Sequence, residues 1–382
     1  MKILMAIDYY RPHVSGLTLY VEHLAEGLAK RGHSVRVLTH RHLPELPLES
    51  EEYGVRVVRA PVAVRVGKAL VSPAIFARAL FEVPRSDVLH LHAPLVNAMP
   101  LAFLGATLRV PIVVTFHCDL QTPPGLGSRF VEVLARASQH FALERAAHVI
   151  TYTEDYARNT RPLRDRLEKV RWILPPVNDP PETGRTAAEV RDRFGVRGAP
   201  VLLFLGRFTE EKGLPVLVEA FAEVRRRFPE AVLLLAGAKS VPGETVLERI
   251  APLLADPASG LVAPGIVPPA EIADLFTISD LLVLPSINAT ESFGLVQVEA
   301  MLRGVPSVAS DLPGVRQPVR LTGMGEIAPI GDAKGLARQI LKVLESPDRY
   351  RRPREEIRAL FRPERTFAEY EAVYASATGA GV

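Results

Sequence analysis

Short apolar runs alternate with helical stretches along almost the whole chain, and this alternation constrains the fold more than any other feature. The apolar runs are rich in Val, Ile and Leu, which is typical of strands buried on both faces of a parallel sheet. The stretches between them have helical periodicity. In residues 17–31, Leu17, Val21 and Leu24 share one face, and Gly32 ends the helix. The alternation predicts an α/β fold with parallel sheets.

The predicted elements fall into two consecutive sets. In the first set we expect strands at residues 2–8, 34–39, 55–60, 87–91, 112–116 and 148–152. In the second set we expect strands at 201–205, 231–236, 281–285 and 306–310, and helices at 214–228, 272–276, 294–303 and 333–344. A last helix is expected at 364–376. Each set is long enough for one Rossmann-like domain.

A proline-rich segment, residues 174–184, separates the two sets. Neither a helix nor a central strand accepts so many prolines, because proline lacks the amide donor that both structures need. We therefore place a domain boundary at residue 174. Two Rossmann-like domains that face a central cleft are the expected architecture.

Composition narrows the class of protein. Hydrophobic residues make up 48% of the 382 residues and charged residues 23%, as in globular chains. The single cysteine, Cys118, excludes an intramolecular disulfide framework and fits a reducing cytoplasm. The first apolar run stops at Asp8, so it predicts a strand and not a signal peptide. No apolar run is long enough to span a membrane, and a net charge of +3 does not indicate nucleic-acid binding.

Two loops with glycine lie between a predicted strand and the following helix. The first ends at Gly16, and the second contains Gly206, Arg207 and Lys212. Cations near a helix start oppose the helix dipole, so we expect Arg207 and Lys212 to bind phosphate groups. The G-x-G-x-x-G pattern of nicotinamide and flavin enzymes and the P-loop pattern are absent. The alternatives are a plain turn glycine at Gly16 and solvated charges in the second loop.

An acidic loop precedes the helix expected at 294–303. Glu291 lies on this loop, where its carboxylate can bind sugar hydroxyls, and Glu299 lies a turn and a half into the helix, where it suits the two hydroxyls of a ribose. Backbone amides at a helix start can hold a phosphate. Those expected here belong to Phe293, Gly294 and Leu295. The alternative is that Glu291 only stabilises the helix start and Glu299 is solvated.

Together these residues resemble the retaining glycosyltransferases of family four, or glycosyl transferases group 1, which have the GT-B fold. The resemblance covers nearly the whole chain. It is carried by residues 12–16, 21–39, 87–92, 114–117, 206–213, 291–299, 304–310 and 331–333. The sequence departs from the family at two places. Ser15-Gly16 stands where two glycines are common, and Ala238-Lys239 follows Gly237 where an acidic residue is common.

The resemblance implies a role for each donor-site residue. Arg207 and Lys212 are expected to neutralise the donor diphosphate, beside Gly206 in the same loop. Glu291 is expected to contact the donor sugar and Glu299 the ribose. Further backbone contacts are expected at Ile266, Val267, Phe293, Gly294 and Leu295, of which the first two are similar to the segment that contacts the base.

The resemblance also assigns residues to the first domain. Gly16 is expected opposite the diphosphate, and His117 is similar to the histidine that touches the transferred sugar near its reacting carbon. The family's last helix crosses back to the first domain. The implied division is therefore an acceptor-side domain at 1–173, a nucleotide-sugar domain at 174–362 and a crossing helix at 363–382.

The implied reaction moves a hexosyl unit from a UDP- or GDP-sugar to a hydroxyl acceptor such as a glycolipid or polysaccharide precursor. The sequence has no Asp-x-Asp cluster, and Arg207 with Lys212 can stabilise the leaving diphosphate electrostatically. We therefore expect neither a metal nor a cofactor, with retention at the anomeric carbon. A covalent intermediate on Glu291 is the alternative mechanism.

Other functions on the same fold remain alternatives. An inverting transferase would need a base in the first domain, for which Asp119 and His117 are the candidates. A sugar-nucleotide epimerase and a non-catalytic sugar-nucleotide-binding protein are the others. The last would tolerate the loss of Arg207 and Lys212.

Residues 127–145 predict a basic amphipathic helix. Its apolar face is formed by Phe130, Val133, Leu134 and Phe141, and its basic face by Arg129, Arg136, His140 and Arg145. Such a helix can dock on an anionic membrane. The alternative is that one face packs in the core while the arginines are solvated. The expected location is the cytoplasm, with peripheral contact at the inner face of the membrane.

Overall fold

The computed structural model describes residues 1–66, 69–119, 126–239 and 244–379. The chain divides into two compact units, one formed by Met1–Pro176 with Arg362–Val382 and the other by Val177–Phe361. Each unit has its own sheet and hydrophobic core. The division falls within the proline-rich segment and again just before the last helix. The predicted α/β class with parallel sheets is confirmed.

The first unit is built around one large sheet. Its strands are β1 (Lys2–Ala6), β2 (Ser34–Arg41), β3 (Glu49–Glu52), β4 (Val55–Pro61), β5 (Val64–Val66), β6 (Ala69–Val71), β7 (Val88–Ala93), β8 (Ile112–Phe116), β9 (His148–Thr151) and β10 (Val170–Trp172). Its helices before the boundary are α1 (Gly16–Lys30), α2 (Pro73–Glu82), α3 (Ala98–Thr107), α4 (Leu126–Arg145), α5 (Glu154–Asn159) and α6 (Arg161–Arg164).

The strand order of this sheet is β10-β9-β8-β7-β1-β2-β4-β3. Its strands pair in parallel except for β3, which adds to β4 in the antiparallel sense at the edge. The β5–β6 hairpin lies outside the sheet. The chain extends the sheet from β1 to β4 and then crosses to β7 on the other side of β1, so the sheet has a switch point between β1 and β7.

Local sequence explains where α1 begins and which face it buries. The Ser15 side chain caps the helix by accepting the Thr18 N–H at 3.1 Å. Val21, Leu24 and Leu28 are completely buried, as the helical spacing predicts.

The second unit repeats the same plan on a smaller scale. Its strands are β11 (Val201–Leu205), β12 (Val232–Ala236), β13 (Leu261–Gly265), β14 (Leu281–Leu284), β15 (Ser307–Ser310) and β16 (Gly325–Ala328). Its helices are α7 (Ala187–Phe194), α8 (Leu214–Arg227), α9 (Val246–Ala255), α10 (Ile272–Thr277), α11 (Leu295–Leu302), α12 (Gln317–Thr322), α13 (Ala333–Leu344) and α14 (Arg354–Leu360). The strand order is β13-β12-β11-β14-β15-β16.

The last helix, α15 (Pro363–Thr378), belongs to the first unit, where it packs on α1, β7 and β8. Gly27 of α1 provides the space for this packing. A Cβ at Gly27 would lie 2.1 Å from Cζ of Phe367. The absence of a side chain at Gly27 therefore lets the two helices approach closely.

All of the predicted strands and helices occur within two residues of their expected ends. Helix α9 is amphipathic but was not predicted. Among the strands that the sequence pattern did not predict, β3 and β13 have weak hydrophobic periodicity. β3 is Glu-Ser-Glu-Glu, and β13 ends with Pro264 and Gly265. Both lie at sheet edges, where pairing needs few apolar residues.

Candidate functional site

The second sheet changes its direction of growth between β11 and β14. The chain adds β12 and β13 on one side of β11, then crosses to add β14, β15 and β16 on the other side. All these strands pair in parallel, so the carboxyl ends of β11 and β14 open side by side. Ligands of open α/β sheets bind at such a switch point. The predicted cations Arg207 and Lys212 follow β11, and the predicted carboxylates Glu291 and Glu299 follow β14.

Two cations lie on the loop after β11. Lys212 forms an ion pair with Glu291 of the loop after β14. Arg207 Nη2 lies 3.0 Å from Glu211 Oε1 on its own loop. The side chain of Arg207 is 47% exposed, whereas that of Lys212 is 20% exposed. The structure therefore brings Lys212 and Glu291 together across a separation of 79 residues.

Backbone contacts hold these two loops in place. Gly213 has φ of +67°, and a Cβ there would lie 2.0 Å from the carbonyl oxygen of Pro285 at the end of β14. The N–H of Ile287 donates to the carbonyl of Glu211 at 3.0 Å. Only glycine permits this approach, because any side chain at position 213 would overlap backbone atoms. The contact sets the distance between the cations and the acidic loop.

The loop after β12 packs directly on the loop after β11. Gly237 has φ of +136°, and a Cβ there would lie 2.0 Å from the carbonyl oxygen of Gly206. A Cβ at Gly206 itself would make only ordinary contacts, at 3.5 Å with the Phe204 ring and at 3.9 Å with Lys212 Cε. Packing therefore requires a glycine at position 237 but not at position 206. A physical reason for a glycine at position 206 is that it lets a ligand approach the backbone closely.

Helix α11 begins at Leu295, and Gly294 caps it in the left-handed region with φ of 77°. A Cβ at Gly294 would lie 2.4 Å from Leu284 Cδ2. The Phe293 ring is buried and packs against Phe361 with ring centroids 6.1 Å apart. Because the Phe293 ring packs in the core, the ligand contacts predicted for Phe293, Gly294 and Leu295 would come from their backbone groups. The first amides of a helix have no acceptor within the helix.

Glu299 is a partly buried carboxyl group in α11. Within the described part of the chain, no side chain forms an ion pair or a hydrogen bond with it. Burial raises the pKa of Glu299 to about 7. A poorly hydrated carboxylate without a cation accepts hydrogen bonds strongly, which suits ligand hydroxyls.

The loop after β13 offers an apolar surface next to this site. Ile266 is 77% exposed, while Val267 is buried in the core. An exposed apolar side chain beside a polar site can pack on the face of a flat ring. Lys239, one of the departures from the family pattern, lies on the neighbouring loop with its Cε 3.9 Å from the Cβ position of Gly265.

Gly16 is the first residue of α1, which follows β1 at the switch point of the first sheet. A Cβ at Gly16 would meet no atom within 4 Å, and the backbone is not left-handed there. Packing within this unit therefore does not require a glycine. The open space above the helix start is suited to an anionic ligand.

His117 follows β8 and is 2% exposed. Its Nδ1 lies 2.5 Å from the Tyr152 hydroxyl, and its Nε2 lies 2.9 Å from His92 Nδ1. Burial lowers the pKa of His117 to about 3, so the ring is neutral at physiological pH. Both ring nitrogens have partners within this unit, so a contact with a sugar through nitrogen requires His117 to release His92 or Tyr152.

Asp8 is a candidate that the sequence analysis did not assign to a site. It follows β1 at the switch point of the first sheet, where its Oδ2 accepts the Val96 N–H at 3.3 Å. Burial raises the pKa of Asp8 to about 7. Its Oδ1 is buried and has no hydrogen-bond partner among the described residues; His40 Nδ1 lies 3.6 Å from it. The sequence did contain a signal for a site at Asp8, because a charged residue ends an apolar strand there. We used that charge only to exclude a signal peptide.

The described residues contain neither a cluster of metal ligands nor a membrane-spanning helix. No group of three or more His, Cys, Asp or Glu side chains there is arranged to hold a metal ion. No helix in the same ranges is long and apolar enough to cross a membrane.

Two family models match the chain. The model described as "Glycosyl transferase 4-like domain" matches residues 15–176. The model described as "Glycosyl transferases group 1" matches residues 188–360. Each match lies almost entirely within one of the two compact units.

Characterised relatives match over most of their length. The 2-deoxystreptamine glucosyltransferase of Streptomyces kanamyceticus is 30% identical over 350 residues, covering 85% of this chain and 88% of the relative. The phosphatidyl-myo-inositol mannosyltransferase of Mycolicibacterium smegmatis is 30% identical over 360 residues, covering 90% and 85%.

Solved structures share the fold at low identity. Sucrose-phosphate synthase of Thermosynechococcus elongatus superposes with a TM-score of 0.74 at 22% identity, covering 100% of both chains. The Anabaena protein HepE in complex with UDP and glucose has a TM-score of 0.76 at 20% identity, covering 98% of this chain and 100% of that chain. The chain is therefore a glycosyltransferase that belongs to group 1, with a family-four type of N-terminal domain and the GT-B fold.

Proposed function

We propose that this enzyme transfers a hexosyl unit from a UDP- or GDP-sugar to a hydroxyl group of an acceptor. The observation that carries the proposal is the meeting of Lys212 with Glu291 at the switch point of the second sheet, with Arg207 on the same loop. A cation pair and two carboxylates at one crevice match a ligand that has a diphosphate and several hydroxyls. HepE binds UDP and glucose, which supports the same ligand class here.

In this proposal each residue contacts one part of the donor. Lys212 and Arg207 bind the diphosphate, Glu299 binds the ribose, and Glu291 binds the sugar. Lys212 is paired with Glu291 before the donor arrives. The diphosphate then competes for Lys212, and Glu291 becomes available to accept hydrogen bonds from sugar hydroxyls.

The remaining donor contacts come from backbone groups. The amides of Phe293, Gly294 and Leu295 bind one phosphate at the start of α11, and the segment at Ile266 and Val267 contacts the base. Backbone groups of Gly206 and of Gly16 approach the diphosphate, because neither glycine is required by packing within its own unit.

We propose transfer with retention and without a metal ion. The bond from the anomeric carbon to the diphosphate oxygen breaks, the bond to the acceptor oxygen forms on the same face, and the departing phosphate takes the acceptor's proton. Lys212 and Arg207 stabilise the charge that develops on the diphosphate. Product anomericity measured by NMR tests this step. A product of inverted configuration would assign the base role to Asp119 or His117 instead.

Glu291 offers the alternative, covalent route to retention. It requires the carboxylate to attack the anomeric carbon, although the carboxylate is paired with Lys212 in this structure. We expect Glu291→Gln to weaken donor binding and to trap no glycosyl adduct. A glycosylated Glu291 found by mass spectrometry would establish the covalent route.

A panel of nucleotide sugars tests the donor class. We expect UDP- or GDP-hexoses to raise the melting temperature, because a ligand that binds only the folded chain stabilises it, and ADP-hexoses to raise it less. Arg207→Ala should remove most of the shift and most of the turnover. Unchanged turnover in Arg207→Ala would refute the proposed role.

The names of the relatives suggest which acceptors to test. One relative acts on 2-deoxystreptamine, and another is a phosphatidyl-myo-inositol mannosyltransferase. We propose a glycolipid or polysaccharide precursor as the acceptor. Nucleotide release from the stabilising donor should rise with phosphatidylinositol and not with 2-deoxystreptamine. The opposite preference would indicate a small-molecule acceptor.

We further propose a cytoplasmic enzyme that makes peripheral contact with the inner face of the membrane through α4. Val133 is 64% exposed and Leu134 53% exposed. The buried face of α4 is formed instead by Ala135, Ser138, Gln139, Ala142 and Leu143. Arg136 is 48% exposed on the same helix. An exposed apolar pair beside cations suits the boundary of an anionic bilayer. The predicted Arg129 and Phe130 have side chains outside the described residues.

Co-sedimentation with anionic phosphatidylglycerol vesicles tests the membrane contact. Binding at low salt should be lost in Leu134→Asp and retained in the control Leu253→Asp, which changes a leucine 42% exposed on a helix of the second unit. Absence of binding by the wild type at low salt would contradict the proposal.

A further inference from the structure

Two tyrosines of the C-terminal helix α15 reach the sheet of the first unit. The Tyr370 hydroxyl lies 2.6 Å from the Tyr20 hydroxyl and 2.9 Å from Thr115 Oγ1. The Tyr374 hydroxyl lies 2.8 Å from His90 Nδ1. These side chains are at most 1% exposed. Helix α15 therefore buries two hydroxyl groups against the sheet and pairs both with defined partners.

The partners of these tyrosines are neighbours of His117. The Tyr20 ring meets the His117 ring edge-on, with centroids 4.9 Å apart and an angle of 82°. His90 packs on His92 with centroids 4.0 Å apart, and His92 Nδ1 lies 2.9 Å from His117 Nε2. Each of these two contacts to His117 thus leads back to a tyrosine of α15.

Thr115 connects the contact that runs through Tyr20 with the contact that runs through His90 and His92. It lies on β8, which ends just before His117. Its Oγ1 lies 2.7 Å from His90 Nε2 and 2.9 Å from the Tyr370 hydroxyl. Both nitrogens of His90 therefore have partners, so its ring is held against rotation as well as translation. A rigid His90 gives His92 a fixed surface to pack on.

The contact of Tyr370 and Tyr374 with the sheet is polar, and a contribution to stability alone does not explain why it is polar. Buried polar groups add little net stability even when they are paired, and apolar side chains of the same shape pack as well. What a paired network adds is a single defined geometry. Since His90, His92 and His117 are kept neutral by burial, that geometry is set by hydrogen bonds and ring contacts and not by charge.

We propose that Tyr370 and Tyr374 are positioning residues for His117, which they orient through Tyr20 and through the His90–His92 pair. The inference rests on the proposed transferase function and on the contact between His117 and the transferred sugar that the family resemblance implies. Helix α15 thereby contributes to the reaction centre of the first unit without contacting substrate. A displaced imidazole would slow transfer and leave the donor site of the second unit unchanged.

The kinetic test uses Tyr→Phe variants, which keep the ring and remove the hydroxyl. We expect Tyr370→Phe and Tyr20→Phe, which break the same hydrogen bond from its two ends, each to lower kcat about tenfold with an unchanged donor KM. The double variant should be no slower than Tyr370→Phe. Tyr350→Phe is the matched control, because it removes a buried hydroxyl bonded at 2.7 Å to Glu326 in the other unit.

The same substitutions in a His117→Ala background separate positioning from general loss of stability. If Tyr370 acts through His117, Tyr370→Phe should lower kcat no further there. An equal loss of kcat in both backgrounds, or no loss in the wild-type background, would overturn the proposal.

A second measurement needs neither donor nor acceptor. In protein labelled at histidine, the ring-carbon and ring-proton NMR signals of His117 report its contact with the Tyr20 ring. They should shift in Tyr370→Phe and Tyr20→Phe and remain in place in Tyr350→Phe. Unchanged signals would overturn the proposal even if turnover fell. Shifted signals in an enzyme that turns over no nucleotide sugar would uphold the positioning and reject the proposed function.

Discussion

Glu299 differs from the other charged residues of the donor site because it has no hydrogen-bond or ion-pair partner among the described side chains. Lys212 is paired with Glu291, and Arg207 with Glu211. Glu299 has only its burial, which raises its pKa to about 7. Because the folded pKa exceeds the unfolded value of about 4.3, ionisation of Glu299 destabilises the fold progressively as pH rises from that value to about 7. A ligand that donates hydrogen bonds to the carboxylate offsets this cost.

The free carboxyl therefore predicts a pH-dependent donor affinity. We expect the affinity for the stabilising nucleotide sugar to increase roughly tenfold between about pH 5.5 and 8, as Glu299 ionises. The esterified diphosphate itself does not titrate in this range. In Glu299→Gln the affinity should be weak and nearly constant with pH, by isothermal titration calorimetry. Equal pH profiles for the two proteins would show that Glu299 does not bind the donor.

At the residue scale, the sequence indicated which charged residues belong to the donor site but not which of them form ion pairs with each other. The pattern placed Lys212 and Glu291 near a helix start, yet their contact depends on β11 lying next to β14. Hydrophobic periodicity carries no information about the order of strands in a sheet, so the ion pair between Lys212 and Glu291 could not be predicted from it. The surroundings of His117 could not be predicted for the same reason. Tyr370 lies 253 positions later in the chain, and it comes near His117 only because α15 packs on the first unit and brings Tyr370 against Tyr20.

At the element scale, glycines divide into those that the packing requires and those that it does not. Gly213 holds the β11 and β14 loops together in a backbone conformation that other residues rarely adopt, and Gly237 does the same for β11 and β12. Gly16 and Gly206 have ordinary backbone conformations and space around them. This division separates structural glycines from candidate ligand-binding ones.

The two kinds of glycine should respond differently to alanine. Gly213→Ala is expected to lower the free energy of unfolding by about 2–4 kcal/mol, because its Cβ overlaps the Pro285 carbonyl. Gly16→Ala should change that free energy by less than about 0.5 kcal/mol and still lower turnover, since a methyl group would occupy the space left for the ligand. Chemical denaturation and a nucleotide-release assay measure both effects. Normal turnover in Gly16→Ala would remove Gly16 from the site.

The strands and helices themselves were largely predictable. Buried parallel strands such as β11 and β14 are short, continuous apolar runs, which is the pattern that the sequence analysis used. Helix α9 was missed although it is ten residues long and amphipathic; it contains Pro252. Other missed elements include β3, which pairs by backbone hydrogen bonds at a sheet edge, and the short helix α6. Their formation depends on neighbours that are distant in sequence, which local patterns do not include.

At the scale of the whole molecule, the two units contribute different chemistry. The second unit holds cations and carboxylates around one switch point, whereas the first holds neutral buried histidines and an open helix start. Each has its own core. We therefore expect most of the donor contacts to come from the loops of the second unit.

Hydrogen exchange measured by mass spectrometry should locate the donor. Addition of the stabilising nucleotide sugar is expected to slow exchange in residues 206–213 and 285–302, because ligand contacts reduce local opening. Strands β3 and β4 at the far edge of the first sheet should exchange as before. Protection confined to the first unit would place the donor elsewhere.

The most direct test of the account is hexosyl transfer by Lys212→Met. Lys342→Met is the matched control, since Lys342 pairs with Glu326 at 2.7 Å in the same unit. If Lys212 stabilises the leaving diphosphate, kcat/KM for the nucleotide sugar should fall at least 100-fold in Lys212→Met and stay within about twofold of wild type in the control. Equal activity of the two variants would contradict the proposed donor site.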